Sequence, residues 1–242
     1  MISSAGNQEK IWDHFQNEGI DSFSQSSGRL EFLVRRVLPG KRVLNIGVGN
    51  GVLELLASKK GVEIWSLDPS ERAINRLRQS LGMGETAQVG YSQAMPFPDE
   101  HFDVVIMSEV LEHLDEAVFE ATLDEVNRVL RPDGSFMGTV PARENLADSL
   151  VVCPECGLQF HRWGHKRSFD VEQLSTAFAT RFIANEIAEQ FFIDWDAVGL
   201  WRKLQGIIKK LLSWRGVGTY GICRNIFFSV KKMPKMDKIN HD

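Results

Sequence analysis

The stretch between Cys153 and His165 holds two cysteines and two histidines in the pattern C-x2-C-x4-H-x3-H. Thiolates and imidazoles are ligands that zinc prefers, and structural zinc sites take four ligands in a tetrahedron. The pattern therefore predicts a structural zinc knuckle formed by Cys153, Cys156, His161 and His165. A redox pair of cysteines and a polar loop without metal are the alternatives that the same residues leave open.

A second group of residues has the spacing of a nucleoside-binding site. In "NIGVGNG", Gly47, Gly49 and Gly51 follow a short apolar run, and Asp68 follows the next such run about twenty residues later. Glycines let the backbone approach a ligand closely, and an aspartate at the end of the second strand can bind both hydroxyls of a ribose. The alternative is a tight turn between strand and helix in which Asp68 is only a cap.

Short apolar runs alternate with helical patterns between residues 42 and 141, and this alternation must position both groups. Strands are predicted at "RVLNIGV", "VEIWSLDPS", "TAQVGY", "HFDVVIMSEV" and "GSFMGTVP", with amphipathic helices between most of them. A further helix at "FDVEQLSTAFATR" and two late strands, "FIANEIAEQFFID" and "GICRNIFFSVKK", are predicted beyond. The alternation indicates an α/β fold with a mostly parallel sheet and helices on both faces.

The pattern divides the chain into a main domain and several additions. Residues 42–230 form the predicted domain, preceded by an N-terminal helical lid at 1–41 and followed by a disordered tail at 231–242. Residues 142–170 interrupt the alternation and form a small Cys/His insert. Residues 195–216 form a second, basic amphipathic helical insert, for which a packed helix, a homodimer face and peripheral membrane contact are alternatives.

Four motifs in a fixed order carry a family resemblance. "NIGVGNG", "WSLDPS", "SQAMPFPDEHFDVVIMSEVLEHLD" and "EVNRVLRPDGSFMGTVP" together resemble the class I S-adenosylmethionine-dependent methyltransferases of the small-molecule, type 11-like branch. The resemblance implies a Rossmann-like sheet of seven strands, the last one antiparallel, and S-adenosylmethionine as the cofactor. The spacing G-x-G-x-G, rather than G-x-G-x-x-G, disfavours a nicotinamide-dependent oxidoreductase.

The resemblance also implies roles for individual residues. The glycine loop would approach the carboxypropyl and ribose parts of the cofactor, the stretch before "MPF" would border the adenine, and the end of the fourth strand would line the methionine. Asn45 stands where this family usually has an acidic residue. The implied cofactor-binding residues are Asn45, Gly47, Val48, Gly49, Asp68, Pro69, Ser92, Gln93, Ala94, Ser108 and Glu109.

Just past the fourth strand, "EVLEHLD" offers a candidate general base, His113, with Glu112 beside it. The alternative is that His113 orients the loop and helix that follow. His165 is open to two interpretations, because the motif "GH-x-x-x-F" that contains it also occurs in relatives that lack the cysteines. His165 would then face the acceptor pocket instead of a metal.

The sequence thus predicts methyl transfer from S-adenosylmethionine, most simply O-methylation, to a small-molecule, sugar or glycolipid acceptor. A catalytically inactive regulatory or scaffold protein that binds the cofactor is the alternative. The net charge of -4 gives no general reason to expect nucleic-acid binding. A secretory signal and a membrane-spanning run are both missing from the pattern, and the three cysteines do not suggest a secreted disulfide framework, so a cytoplasmic location is predicted.

Overall fold

The computed structural model describes residues 27–192, 208, 211 and 225–234. A seven-stranded sheet forms its centre, with the order β3-β2-β1-β4-β5-β9-β8. Its strands are β1 Arg42–Ile46, β2 Glu63–Asp68, β3 Ala87–Val89, β4 Phe102–Ser108, β5 Leu130–Pro141, β8 Phe182–Gln190 and β9 Asn225–Lys232. A separate two-stranded hairpin, β6 Leu150–Val152 with β7 Gln159–His161, lies in the insert between β5 and the next helix.

The sheet confirms the predicted fold. Strands β1 to β5 pair in parallel with their neighbours, whereas β9 runs antiparallel to both β5 and β8. The last strand in the chain therefore lies between two earlier ones. The prediction placed the disordered tail at residue 231, but Lys231 and Lys232 still pair with β8.

Helices cover both faces of the sheet. They are α1 Ser27–Arg35, α2 Val52–Lys59, α3 Glu71–Leu81, α4 Glu116–Val129 and α5 Val171–Phe178. Alternate residues of β4 enter the two main cores, since Val105 and Met107 pack with α4 and α5 while Val104 and Ile106 pack with α1 and α2. Burial on both faces explains why β4 reads as a continuous apolar run.

Side-chain caps fix where two helices start beside the site. Asp115 accepts a hydrogen bond from the backbone N–H of Val118 at the start of α4. Asp170 and Gln173 form a reciprocal capping box at the start of α5. Each cap satisfies backbone N–H groups that a helix leaves unpaired, and the cap at Asp170 also fixes the point where the insert ends.

Several predicted segments fall wholly or partly outside the described residues. Residues 1–26 of the predicted lid lie outside them, and α1 is the described part of that segment. Of the basic helix at 195–216, only Ile208 and Leu211 are described, and both are helical and exposed. Within the described part of the chain, no helix is long and apolar enough to cross a membrane.

Candidate active site

The turn from β1 to α2 presents bare backbone at the carboxyl edge of the sheet. Gly47, Gly49 and Gly51 all have positive φ, with Gly47 at 86°. A Cβ at Gly47 would lie 2.6 Å from Cγ2 of Val110, which follows β4. The loop therefore depends on glycine both for its conformation and for the space between β1 and β4.

Asp68 ends β2 and ties the neighbouring turns together. Its side chain is 1% exposed, with Oδ2 accepting a hydrogen bond from Val48 N at 2.9 Å and Oδ1 accepting one from Ser70 N at 2.8 Å. The structure thus brings Val48 and Asp68 together, as the sequence predicts. It also shows Asp68 accepting backbone N–H groups, which is the capping role that the alternative proposed.

Asn45 lies in a buried polar network beneath the glycine loop. Its Nδ2 donates to Oε1 of Glu54 at 2.7 Å, and Ser66 Oγ donates to the same oxygen at 2.9 Å. Glu54 is fully buried on α2, and burial raises the pKa of its carboxyl although the two side-chain hydrogen bonds oppose this shift. Sequence reasoning missed Glu54, whose one signal is an acidic residue within the apolar pattern "VLELLA".

The segment predicted to border adenine is fixed onto α4. Ser92 Oγ forms a 2.8 Å hydrogen bond with Thr122 Oγ1, and Met95 N donates to Oε2 of Glu125 at 2.7 Å. Arg128 donates to both Glu125 oxygens and to the Met95 carbonyl at 3.0 Å. Gln93 is partly exposed and Ala94 is exposed, so these two positions lie at the surface of the segment.

The end of β4 meets polar groups from two other elements, α1 and β9. Arg29 on α1 donates through Nε to Ser108 Oγ at 3.1 Å, and its Nη1 lies 3.7 Å from Glu109 Oε2. Asn225 at the start of β9 donates to both Glu109 oxygens, at 3.0 and 3.1 Å. Sequence reasoning found Ser108 and Glu109 but missed Arg29 and Asn225, which approach from distant parts of the chain.

Glu112 and His113 lie in the 3-10 turn Leu111–His113 just beyond β4. Burial raises the pKa of Glu112 well above its usual range, and the nearby carboxylate of Glu109 raises it further. Burial, aided by the neighbouring His165, lowers the pKa of His113 to about 3. A histidine with that pKa is neutral near pH 7 but is a weak base, which favours the alternative to general-base catalysis.

The four predicted zinc ligands do not converge on one point in this structure. Cys153 and Cys156 occupy the tip of the β6–β7 hairpin, where Cys153 N donates to Leu158 O at 2.9 Å. His161 pairs with Leu150 instead. The Cys153–Leu158 contact lies three residues along the hairpin from the Leu150–His161 pair, which corresponds to about 10 Å along a strand. The register of the hairpin therefore places the histidines at its base and the cysteines at its tip.

The turn at the cysteines nevertheless has a feature of metal knuckles. Backbone N–H groups of Cys156 and Glu155 lower the pKa of the partly exposed Cys153 thiol. Stabilised thiolates are the form that binds metal. The zinc ion predicted at these cysteines stays a prediction.

The two histidines lie beside Glu144 at the start of the insert. His165 Nδ1 is 2.5 Å from Glu144 Oε2, and His161 Nε2 is 3.4 Å from Glu144 Oε1. The two imidazole rings stack with their centroids 4.7 Å apart. Sequence reasoning missed Glu144, whose position becomes meaningful only once the insert folds back.

An open cleft of about 790 Å³ lies between α4, α5 and the end of the insert. Phe119, Phe169 and Arg167 are among the residues that line it. None of the predicted cofactor-binding residues does. We take the carboxyl edge of the sheet, rather than this cleft, as the reaction site, because ligands of open parallel sheets bind at that edge.

S-adenosylmethionine fits the residues at this edge. Gly47 exposes backbone without a side chain where a Cβ would collide with Val110, and Asp68 supplies a buried carboxylate at the end of the second strand. Ser108 and Glu109 supply hydroxyl and carboxylate groups at the end of the fourth. The ribose hydroxyls and the ammonium group of this molecule can donate hydrogen bonds, and these oxygens can accept them.

Known proteins share both this sequence pattern and this fold. Residues 44–138 match the family described as methyltransferase domain. A ubiquinone biosynthesis O-methyltransferase of Aromatoleum aromaticum is 32% identical over 118 residues, which are 46% of this chain and 50% of that protein. A fatty-acid O-methyltransferase of Mycolicibacterium smegmatis is 39% identical over 104 residues, 41% of this chain and 37% of that protein. The chain thus spans half or less of the length of these relatives.

One solved structure resembles the chain over almost its whole length. It is a 1,6-didemethyltoxoflavin-N1-methyltransferase of Burkholderia thailandensis with bound 1,6-didemethyltoxoflavin and S-adenosylhomocysteine. Its TM-score is 0.64 at 15% identity, with coverage of 95% of this chain and 88% of that chain. The strand order, the glycine loop and the family match define a methyltransferase fold. Residues 44–138 therefore resemble the methyltransferase-domain family, and the chain has the fold of this solved methyltransferase.

Proposed function

We propose that this protein transfers a methyl group from S-adenosylmethionine to an oxygen of a small-molecule, sugar or lipid-linked acceptor. The observation that carries the proposal is the bare left-handed loop at Gly47, set between Asp68 and the end of β4. Two relatives named as O-methyltransferases support oxygen as the acceptor atom.

Each part of the edge would hold one part of the cofactor. Asp68 would bind the ribose hydroxyls, Gly47 and Gly49 would let the backbone approach the chain between ribose and carboxylate, and Ser92 would border the adenine. Asn45 and Pro69 would support the same loops. The hydrogen bond to the buried Glu54 holds Asn45 in a defined position near the end of β1, although Asn45 carries no charge.

When bound, S-adenosylmethionine supplies a methyl group that its sulfonium already activates. The protein therefore has to hold an acceptor oxygen in line and to exclude water. Arg29 and Asn225, which contact Ser108 and Glu109, would close the methionine end of the site. The predicted pair Glu112 and His113 lies one turn further on and borders the insert, which would face the acceptor.

The proposal is tested in two steps on the 242-residue chain. Calorimetry with S-adenosylhomocysteine is expected to show binding, and S-adenosylhomocysteine release is then measured over pools of phenols, sugars, fatty acids and lipid-linked sugars. Turnover with an oxygen acceptor supports the proposal. Turnover only with amine or ring-nitrogen acceptors would correct the acceptor atom, and binding without turnover on any pool would favour the scaffold alternative. No binding would overturn both.

A further inference from the structure

Glu112 carries a buried carboxyl group at the junction of β4 and the insert, and nothing described so far accounts for it. Its side chain is 1% exposed, and neither carboxylate oxygen has a hydrogen-bond partner among the described residues. Removing a carboxylate from water without a partner costs several kcal/mol or forces it to bind a proton. The nearby Glu109 and Glu144 carboxylates disfavour its charge further, whereas the guanidinium of Arg29, which contacts Ser108 and Glu109, opposes them. The site would be stabilised by a cation.

Two histidines stand beside this carboxylate. Ligand atoms from Glu112, His113 and His165 all lie within 4.8 Å of one another. The rings of His113 and His165 meet edge to face with centroids 4.7 Å apart. Two imidazoles and one carboxylate form a common ligand set for divalent transition metals.

The second nitrogen of each ring is already oriented. His113 Nδ1 is 3.3 Å from the carbonyl oxygen of Gly164, and His165 Nδ1 is 2.5 Å from Glu144 Oε2. Both oxygens act as acceptors, so Nδ1 carries the proton in each ring and Nε2 offers the lone pair. Metal-binding histidines typically have their other nitrogen held in this way by a carbonyl or carboxylate.

We propose that Glu112, His113 and His165 bind a divalent transition-metal ion such as Zn²⁺, with Glu144 and His161 orienting His165. Three protein ligands leave a fourth position for water or another oxygen. The ion would attach the 142–170 insert, through His165, to the turn after β4. This site goes beyond the proposed methyl transfer and does not depend on it. The cysteines at the hairpin tip are not among its ligands.

Metal content separates this site from a knuckle at the cysteines. The Cys153→Ser/Cys156→Ser variant is purified without an affinity tag, incubated with Zn²⁺, gel-filtered and analysed for zinc. About one equivalent is expected to remain, and adding Glu112→Gln is expected to weaken zinc binding at least about tenfold. Glu116→Gln, an exposed carboxylate on the neighbouring helix, is the matched control and should retain the metal.

Thermal unfolding gives a readout that activity does not influence. Zn²⁺ should raise the Tm of the double-cysteine variant and leave the Tm of its Glu112→Gln derivative unchanged. A Glu112 that is merely buried and unpaired predicts an equal or higher Tm for Glu112→Gln, without any metal response in either protein. Should Glu112→Gln fail to fold, as judged by circular dichroism, His113→Ala in the same background replaces it in both measurements, because His113 belongs to the proposed ligand set and not to the group formed by Glu144, His161 and His165.

Cobalt reports which atoms bind the ion. In the cysteine-containing chain, Co²⁺ at the proposed site is expected to show d–d bands from nitrogen and oxygen ligands with no band from thiolate charge transfer. A charge-transfer band at one equivalent of Co²⁺ would overturn the proposal in favour of the cysteines. Zinc binding that is absent from the double-cysteine variant, or equal in its Glu112→Gln derivative, would overturn it as well.

Discussion

Gly47 has to be glycine for two separate reasons, its backbone conformation and the space around it. The backbone has φ of 86°, and a Cβ would lie 2.6 Å from the side chain of Val110. Gly61 provides a natural comparison, since its φ is 74° but no described atom lies within 4 Å of the place that a Cβ would take. A side chain would strain the backbone at both glycines, because both have positive φ. It would collide with a neighbouring side chain only at Gly47.

Gly47→Ala is therefore expected to weaken S-adenosylhomocysteine binding at least about tenfold, because Val110 or the loop must move into the site. Gly61→Ala should reduce stability by roughly 1–2 kcal/mol, the cost of a left-handed alanine, and leave cofactor binding unchanged. Isothermal titration and urea unfolding measure the two effects. Equal affinities for the two variants would show that the loop does not contact the cofactor.

Residue by residue, the candidate site is predictable from the sequence where its signal lies within one βαβ unit. The spacing of Gly47 and Asp68 reflects a single βαβ unit, and the structure brings their loops together. No such signal marks the three residues that reach the site through contacts distant in sequence, which are Arg29, Glu144 and Asn225. Only the folded chain identifies them.

Among the elements, α4 stabilises the segment that precedes "MPF". Arg128 on its last turn binds Glu125, Asp99 and the carbonyl oxygens of Met95 and Phe97. This ion pair lowers the pKa of Glu125 and helps to fix the adjoining Met95. One helix thereby supports the loop that is predicted to border the adenine.

Replacing Arg128 by glutamine is expected to lower the free energy of unfolding by about 1.5–3 kcal/mol, since charged hydrogen bonds are lost. It should also weaken cofactor binding, because the loop that begins at Ser92 loses its support. Arg35→Gln, at an arginine that is 73% exposed and paired only along its helix, should change stability by less than about 1 kcal/mol. Urea unfolding and calorimetry compare the two variants, and similar losses in both would contradict this role.

The hairpin in the insert shows why ligand spacing alone does not report where the four predicted zinc ligands lie. The pattern C-x2-C-x4-H-x3-H is compatible with a compact turn. Pairing of Leu150 with His161 extends the segment instead, so that the histidines contact Glu144. Strand register is decided by the packing of β6 and β7, and no feature of the cysteine and histidine spacing reports it.

For the molecule as a whole, buried acids make stability depend on pH. Burial raises the pKa of Glu54 above its ordinary value of 4.5. Above pH 4.5 the folded state then holds a proton that the unfolded state has released. Stability consequently falls as pH rises toward the folded-state pKa, by up to about 1.4 kcal/mol per pH unit for one group.

Glu54→Gln should flatten that decline, because glutamine accepts the hydrogen bonds of Asn45 and Ser66 without titrating. Urea unfolding from about pH 5 to about pH 8 measures the slope for the parent chain and the variant. Glu116→Gln, at an exposed and paired carboxylate, is the control and should reproduce the parent slope. Parallel curves for the parent and Glu54→Gln would show that Glu54 does not titrate in this range.

The fold was the most predictable level. Five apolar runs with helices between them fix a parallel sheet, because that periodicity is repeated along the chain and does not depend on any single contact. The antiparallel placement of β9 followed from the family resemblance, and the structure confirms it. The β6–β7 hairpin was missed, since each of its strands has only three residues and packs chiefly on the insert itself.

The position of β9 has a consequence for synthesis on the ribosome. Among the described strands, β8 pairs only with β9, and β5 meets no other strand on that side. Until residues 225–232 have emerged, a nascent chain therefore carries an open sheet edge, and Ile226, Phe227 and Phe228 have yet to fill their places in the cores. Open edges invite pairing with other chains. Completion of this domain is thus a late event, and a nascent chain halted before β9 would be prone to aggregate.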